Sequence, residues 1–140
     1  MRRVLAYALA WTALAVAFGL LAGSVNVPEF RLLAREGIET RGVVRALEPT
    51  NHQQVRYSYQ ANGITYTGIG GGGYGNPPFE QLSPGDSVIV YYAARNPTTS
   101  VLGEPQERLN NEISGITVLV LLFPTVIVLR FASKLRGSKR

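Results

Sequence analysis

Three hydrophobic periodicities divide the chain. Residues 4–27 form one apolar run, AYALAWTALAVAFGLLAGSV at its heart, without a charged side chain. A helix of that length covers ~30 Å of hydrocarbon at ~1.5 Å per residue, which predicts a first transmembrane helix. Ile113–Leu129 is a second uncharged run of 17 residues. Phe131 and Ala132 extend it to 113–132 while Arg130 snorkels. Pro124 removes one helix hydrogen bond and is expected to bend it. Glu29–Glu36 places Phe30, Leu33 and Ala34 at i, i+3 and i+4, the spacing of a short amphipathic helix stopped at Gly37.

From Thr40 the period shortens to two. Thr40–Leu47, Gln54–Gln60, Ile64–Gly68, Ser87–Tyr92 and Thr99–Leu102 read as strands. Asn62-Gly63 between the second and third is a strong hairpin signal. Val55, Tyr57 and Tyr59 alternate with Arg56, Ser58 and Gln60. Ser87–Tyr92 is nearly all apolar, which predicts a central strand buried on both faces. The fold class expected is membrane α + β: two transmembrane helices flanking a small antiparallel β-sheet or barrel-like extracytoplasmic module. Its parts are a cytoplasmic start (1–3), helix 1 (4–27), an amphipathic stalk (28–39), the β module (40–103), a connector (104–112), helix 2 (113–132) and a basic cytoplasmic tail (133–140).

Charge fixes the orientation. The chain carries +5 overall. Residues 28–112 hold seven arginines against nine acidic residues, a net of −2, so the basic excess belongs to the ends. Arg2 and Arg3 precede the first run, and Arg130, Lys134, Arg136, Lys139 and Arg140 lie at or beyond the end of the second. Basic flanks stay in the cytoplasm, so both termini are expected there, in the inner membrane, with 28–112 outside. This distribution argues against a nucleic-acid partner. The first run exceeds the core of a signal peptide and lacks a clean A-x-A site, favouring a retained anchor. Ala15, Gly19 and Gly23 recur every four residues, the spacing that lets two membrane helices approach, and are the candidate helix-packing positions.

The search for chemistry returns little. There is no cysteine, which excludes disulfides and thiol chemistry. His52 is alone, too few ligands for a metal. Asp86 follows Pro84-Gly85 and reads as a turn residue bonding nearby amides. No ionisable group lies in the uninterrupted apolar runs, which argues against ion transport. No catalytic residue, cofactor or metal is assigned. Gly68–Pro78 contains G-x-G-x-x-G, but Asn76-Pro77-Pro78 forbids the helix a dinucleotide site requires, and no Gly-Lys-Ser/Thr follows. The segment reads as a flexible loop between strands. Its functional alternative is a mobile partner-binding loop, with Tyr74 and Phe79 as exposed contacts. Tyr57, Tyr59, Tyr66 and Tyr91 or Tyr92 read as sheet packing.

Arg31-Leu32-Leu33-Ala34-Arg35-Glu36-Gly37, Gly42-Val43-Val44, Tyr57-Ser58-Tyr59 with Gly63, Gly85-Asp86-Ser87-Val88-Ile89-Val90-Tyr91-Tyr92 and Asn96-Pro97 occur in that order between the two runs. In this the chain resembles a widespread family of two-helix bacterial membrane proteins of unknown function. The resemblance implies the same topology and β module and no activity. The chain departs from it at Ala93-Ala94, where the family often has an acidic residue. The function expected is a non-enzymatic membrane protein displaying its β module to other membrane or envelope proteins. The alternative is an envelope sensor or ligand-binding module using loop 68–80. Third is a hydrolase-like enzyme, requiring Glu80, Asp86 and His52 to converge.

Overall fold

The structure, a computed structural model, describes residues 2–137, with side chains from Val4 to Lys134. Of the cationic ends, Lys139 and Arg140 lie outside the described residues, and Arg2, Arg3 and Arg136 outside the described side chains. The elements are α1 (Arg2–Gly23), α2 (Val27–Glu36), β1 (Gly37–Glu48), β2 (Gln54–Ala61), β3 (Ile64–Gly71), a single 3-10 turn (Phe79–Gln81), β4 (Ser87–Ala93), β5 (Asn96–Leu102) and α3 (Pro105–Gly137). They form two compact units: Val27–Asn110, and the helical segments on either side of it in sequence.

All five expected strands are present, in one antiparallel sheet of order β3-β2-β1-β4-β5. Asn62 and Gly63 both have positive φ, 53° and 77°, as a two-residue hairpin turn of this twist requires. β1 is the longest strand and pairs on both sides, with β2 and with β4. The sheet curls until its two end strands, β3 and β5, are neighbours. The result is a partly open five-stranded barrel.

Its interior is filled by the alternation read in β2. Val55, Tyr57, Tyr59 and Ala61 point inward and are buried with Val44, Val88, Val90, Tyr92 and Leu102. Tyr59 packs against Tyr57, Tyr66 and Tyr92, with ring centroids 5.9–6.0 Å apart. β4 is one-sided in this respect: Val88, Val90 and Tyr92 enter the core, while Ile89 and Tyr91 are only half-buried. It was the apolar count, with Ile89 and Tyr91 included, that suggested burial on both faces.

The flanks of the β module differ from the sequence expectation. α2 is more than a stalk: Leu33 is buried with Ala93 and Val101, and Phe30 and Tyr91 pack around them. α2 thus covers the outer face of β4 and β5. Pro28 does not end α1; that helix stops at Gly23, where the Ser24 hydroxyl donates to the Leu21 carbonyl (2.8 Å), and Pro28 sits in the first turn of α2. β1 begins directly at Gly37, where any Cβ would overlap the Leu33 carbonyl. Residues 105–112 are the opening turns of α3, with Pro105 at its first position.

The glycine-rich segment is ordered rather than a flexible loop. β3 runs on through it to Gly71, pairing Gly68 with Tyr57 and Gly70 with Val55. A Cβ at Gly68 would overlap the Tyr57 ring, and one at Gly70 would meet Leu102 Cβ at 3.4 Å. These glycines make room for the barrel to close over its own tyrosine. Gly68→Ala is therefore expected to destabilise the β module by about 1–3 kcal/mol, the usual cost of overpacking. Denaturant unfolding of the full chain in detergent measures it, with Gly71→Ala as control, since no atom approaches that position within 4 Å.

Candidate functional site

The barrel has one seam, between β3 and β5, and a cluster of polar contacts fastens it. A sheet edge leaves carbonyls and amides that need partners. Arg108, in the second turn of α3, supplies two of them. Its Nε donates to the Leu102 carbonyl on β5 (2.6 Å) and its Nη2 to the Gly71 carbonyl on β3 (2.5 Å). The guanidinium also lies over the Tyr74 ring, 4.3 Å from the centroid, a cation–π contact. Burial pulls the Arg108 pKa down, and the Tyr74 and Tyr57 phenols act against that shift. Arginine remains charged at any physiological pH.

The 72–78 turn is fastened at several points. Gly73 N–H donates to the Pro77 carbonyl (2.9 Å) and Asn76 N–H to Gly73 (3.2 Å). The Asn76 amide completes the edge of β4, accepting from Ile89 N–H (2.7 Å) and donating to the Ile89 carbonyl (3.0 Å). Glu104 N–H donates to the Tyr74 carbonyl (2.7 Å). Gly103, at φ 82°, permits that approach, since a Cβ there would overlap the same carbonyl.

Tyrosine hydroxyls bind β2 and β4 to the rest. Tyr57 shares a hydrogen bond with the Ser100 hydroxyl (3.1 Å), and Tyr59 donates to the Pro97 carbonyl, both across the barrel to β5. Burial pushes the Tyr57 hydroxyl up to about 12 and raises Tyr59 as well. Tyr91 faces two carboxylates, Glu104 (2.5 Å) and Glu39 (2.9 Å). Its phenol is held well above the usual range, first by the hydrogen bond to Glu104 and then by desolvation.

On the outer face of β1–β3 the structure opens a cleft of about 320 Å³. The register of β1 shifts between Val44 and Ala46, and the extra residue, Arg45, turns outward. Its Nε donates to the Ser58 hydroxyl (2.7 Å), which accounts for a buried serine on the polar face of β2. Arg56, Thr67 and Ile69 complete the outward lining. Arg56 is paired with Glu48, whose carboxyl is held below its ordinary value by the Asn51 amide and then by Arg56 itself.

The residues singled out in the sequence fall as follows. Tyr74 is half-buried beneath Arg108, and Phe79 is half-buried against the barrel core. Asp86 accepts from Ser83 N–H (2.7 Å), a turn contact, and Glu80 accepts from the Gln53 amide (3.2 Å). His52 is exposed in the β1–β2 turn with φ 50°. Among the described residues no group of three His, Asp or Glu side chains is placed to hold a metal. In the helical unit Ala15 is buried, and a Cβ on Gly19 would sit 3.5 Å from Val120, whereas nothing lies within 4 Å of one on Gly23. Arg108 escaped sequence reading because 104–112 looks like a polar connector. The available signal was Pro105, which marks a helix start and so aims the next turn back at the sheet.

Two outcomes follow from this seam. Arg108→Met leaves two carbonyls without their charged donor, at about 1.5–3 kcal/mol for each bond lost. Hydrogen exchange should then accelerate at the Gly73, Gly103 and Glu104 amides ahead of the rest of the barrel, with Arg108→Lys only partly restoring protection. The second concerns pH. A tyrosine whose pKa is raised from about 10 to about 12 keeps its proton longer when folded. Its contribution is complete below pH ~10 and is lost as pH rises through ~12, amounting to about 2–3 kcal/mol. Unfolding measured across that window should show a steep loss of stability that is shallower in Tyr57→Phe.

No curated protein and no solved structure matches this chain. A family model does, the domain of unknown function DUF3592, over residues 35–107. The matched stretch opens on the last turn of α2 and ends in the first turn of α3, one residue short of Arg108, so it takes in every strand of the barrel. The chain belongs to the DUF3592 family.

Proposed function

We propose that this is a two-pass integral membrane protein, both termini in the cytoplasm, which carries the β module on the far side as a non-enzymatic docking module for other membrane or envelope proteins. One observation carries the membrane placement. The two long helices expose large apolar side chains on almost every face, among them Val4 (72%), Leu20 (70%), Leu129 (63%) and Phe131 (64%). In water such a surface would be untenable; in lipid it is the ordinary solvent-facing surface of a membrane helix.

The docking role is supported by what α2 and the seam leave uncovered. The glycine-rich segment and the sheet edge are engaged internally by Arg108 and Asn76. The outer face of β1–β3 remains, with Ile69 (46% exposed) beside Arg45, Arg56 and Thr67. An exposed aliphatic flanked by arginines is the composition of a protein-contact patch. A second reading, binding of a small ligand, is favoured by the cleft itself, whose volume is at the low end of the ~300–1,000 Å³ typical of ligand sites.

Reporters test both levels. A fusion after Arg140 should be active only as a cytoplasmic reporter, and one inserted at Asn62-Gly63 only as an external one; the reverse pattern overturns the topology. Affinity capture from gently solubilised membranes should return a reproducible partner with the wild-type chain and lose it with Arg45→Ala/Ile69→Asp. Absence of any partner, with stabilisation of the wild type by a small envelope metabolite, would favour the ligand reading instead.

A further inference from the structure

We propose that the helical unit holds an anionic phospholipid in a groove between α1 and α3, with one acyl chain in the groove and the phosphate at Arg130 and Lys134. This rests on the membrane placement argued above. α1 and α3 meet along a line where the Trp11 indole N–H donates to the Thr125 hydroxyl (3.0 Å) and Phe18 packs on Phe123 at 5.6 Å. Towards the N-terminus of α1 the two helices leave an almost wholly apolar groove of about 600 Å³. Ala6, Ala10 and Leu14 form its α1 wall, and Ile127, Val128 and Phe131 its α3 wall. The alanines create the space: a larger side chain at either position would fill it.

Charge selects the occupant. Lys134 follows Ile127 by seven residues and Phe131 by three, so it shares a helix face with the groove lining, and Arg130, one turn before Lys134, lines the adjoining hollow with Leu129, Ala132 and Ser133. Lys134 stands about 10 Å further along α3 than Ile127, the distance from upper acyl chain to headgroup. Both cations are exposed. A guanidinium and an ammonium there hold a phosphate by charge-assisted hydrogen bonds, and Tyr7, which also lines the groove, is at the depth of an aromatic belt. A second copy is the poorer occupant. With the same topology it would bring its own Arg130 and Lys134 to the same end of the bilayer, against those of the first.

Trp11 is the chain's one tryptophan and lies on the α1 stripe between Tyr7 and Leu14, so its fluorescence reads occupancy of the groove. The full chain is reconstituted in phosphatidylcholine vesicles doped with brominated-acyl phosphatidylglycerol or brominated-acyl phosphatidylcholine. The anionic lipid should quench Trp11 at lower mole fraction. Arg130→Gln and Lys134→Gln should each weaken that preference about fivefold, and Ala6→Leu/Ala10→Leu should abolish it with the charges intact. Equal quenching by both lipids overturns the site. A preference lost with the cations but kept in the double leucine variant also overturns it, leaving only general attraction to the bilayer surface. No quenching by either lipid overturns the membrane placement itself.

Discussion

A five-stranded sheet that curls without closing leaves two edges face to face, and the β module depends on how those edges are satisfied. Backbone groups buried at such a seam cost free energy unless partnered. One guanidinium bridges a carbonyl from each edge strand, and one asparagine side chain stands in for a strand along β4. The planar fork of arginine suits the first task, since it reaches two acceptors in one plane where an ammonium would reach one well. Tyr74 beneath that fork, and the glycines that admit the Tyr57 ring, follow from the same requirement. The barrel is small, and tyrosines fill it where aliphatic chains would be too short. Their hydroxyls then need partners of their own, found on β5.

The helical unit is built the other way round. Its apolar side chains point outward, and several of its polar groups are paired between or within helices. The Trp11 indole bonds Thr125, whose hydroxyl donates in turn to the Leu121 carbonyl (2.6 Å). At the other end Asn26 donates to Glu112 (3.1 Å). Thr12 and Thr117 return their hydroxyls to the carbonyl one turn back. Such pairings are what a helix needs wherever water is not available to its polar groups. Phe18, Gly19 and Ala15 supply the close contact between them, so this pair is held by shape as well as by hydrogen bonds.

Strand number, the Asn62-Gly63 hairpin and the two apolar helices were legible because each depends on local periodicity or turn chemistry. Val55, Tyr57 and Tyr59 declare their face by alternation alone. The glycine run was not legible in the same way. Glycine signals conformational freedom in isolation, and only the cross-strand neighbour Tyr57 turns Gly68 and Gly70 into packing residues. Ser87–Tyr92 misled through composition: Tyr91 packs at the edge of the small α2 cluster and Ile89 is tied to Asn76 through its backbone, and both stay half-buried. Arg108 was invisible for a related reason. Its two acceptors are 6 and 37 residues away in sequence, and no short motif records a bond from a helix to both edges of a barrel.

That long-range bond bears on where the β module ends. Composition places the boundary at Gly103, after the last β-prone residue. The compact unit extends to Asn110 and begins at Val27. Leu109 is buried, and Arg108 holds the seam, so the first turn and a half of α3 belongs to the barrel although its sequence is polar. From Ile113 the same helix is apolar and exposed. α3 therefore contributes to both units, and its composition changes from polar to apolar between them, within one turn of Asn110. A soluble fragment cut at Glu104 would lose Arg108 and expose Gly71 and Leu102, whereas one spanning 27–110 keeps α2, the seam and the tyrosine core together.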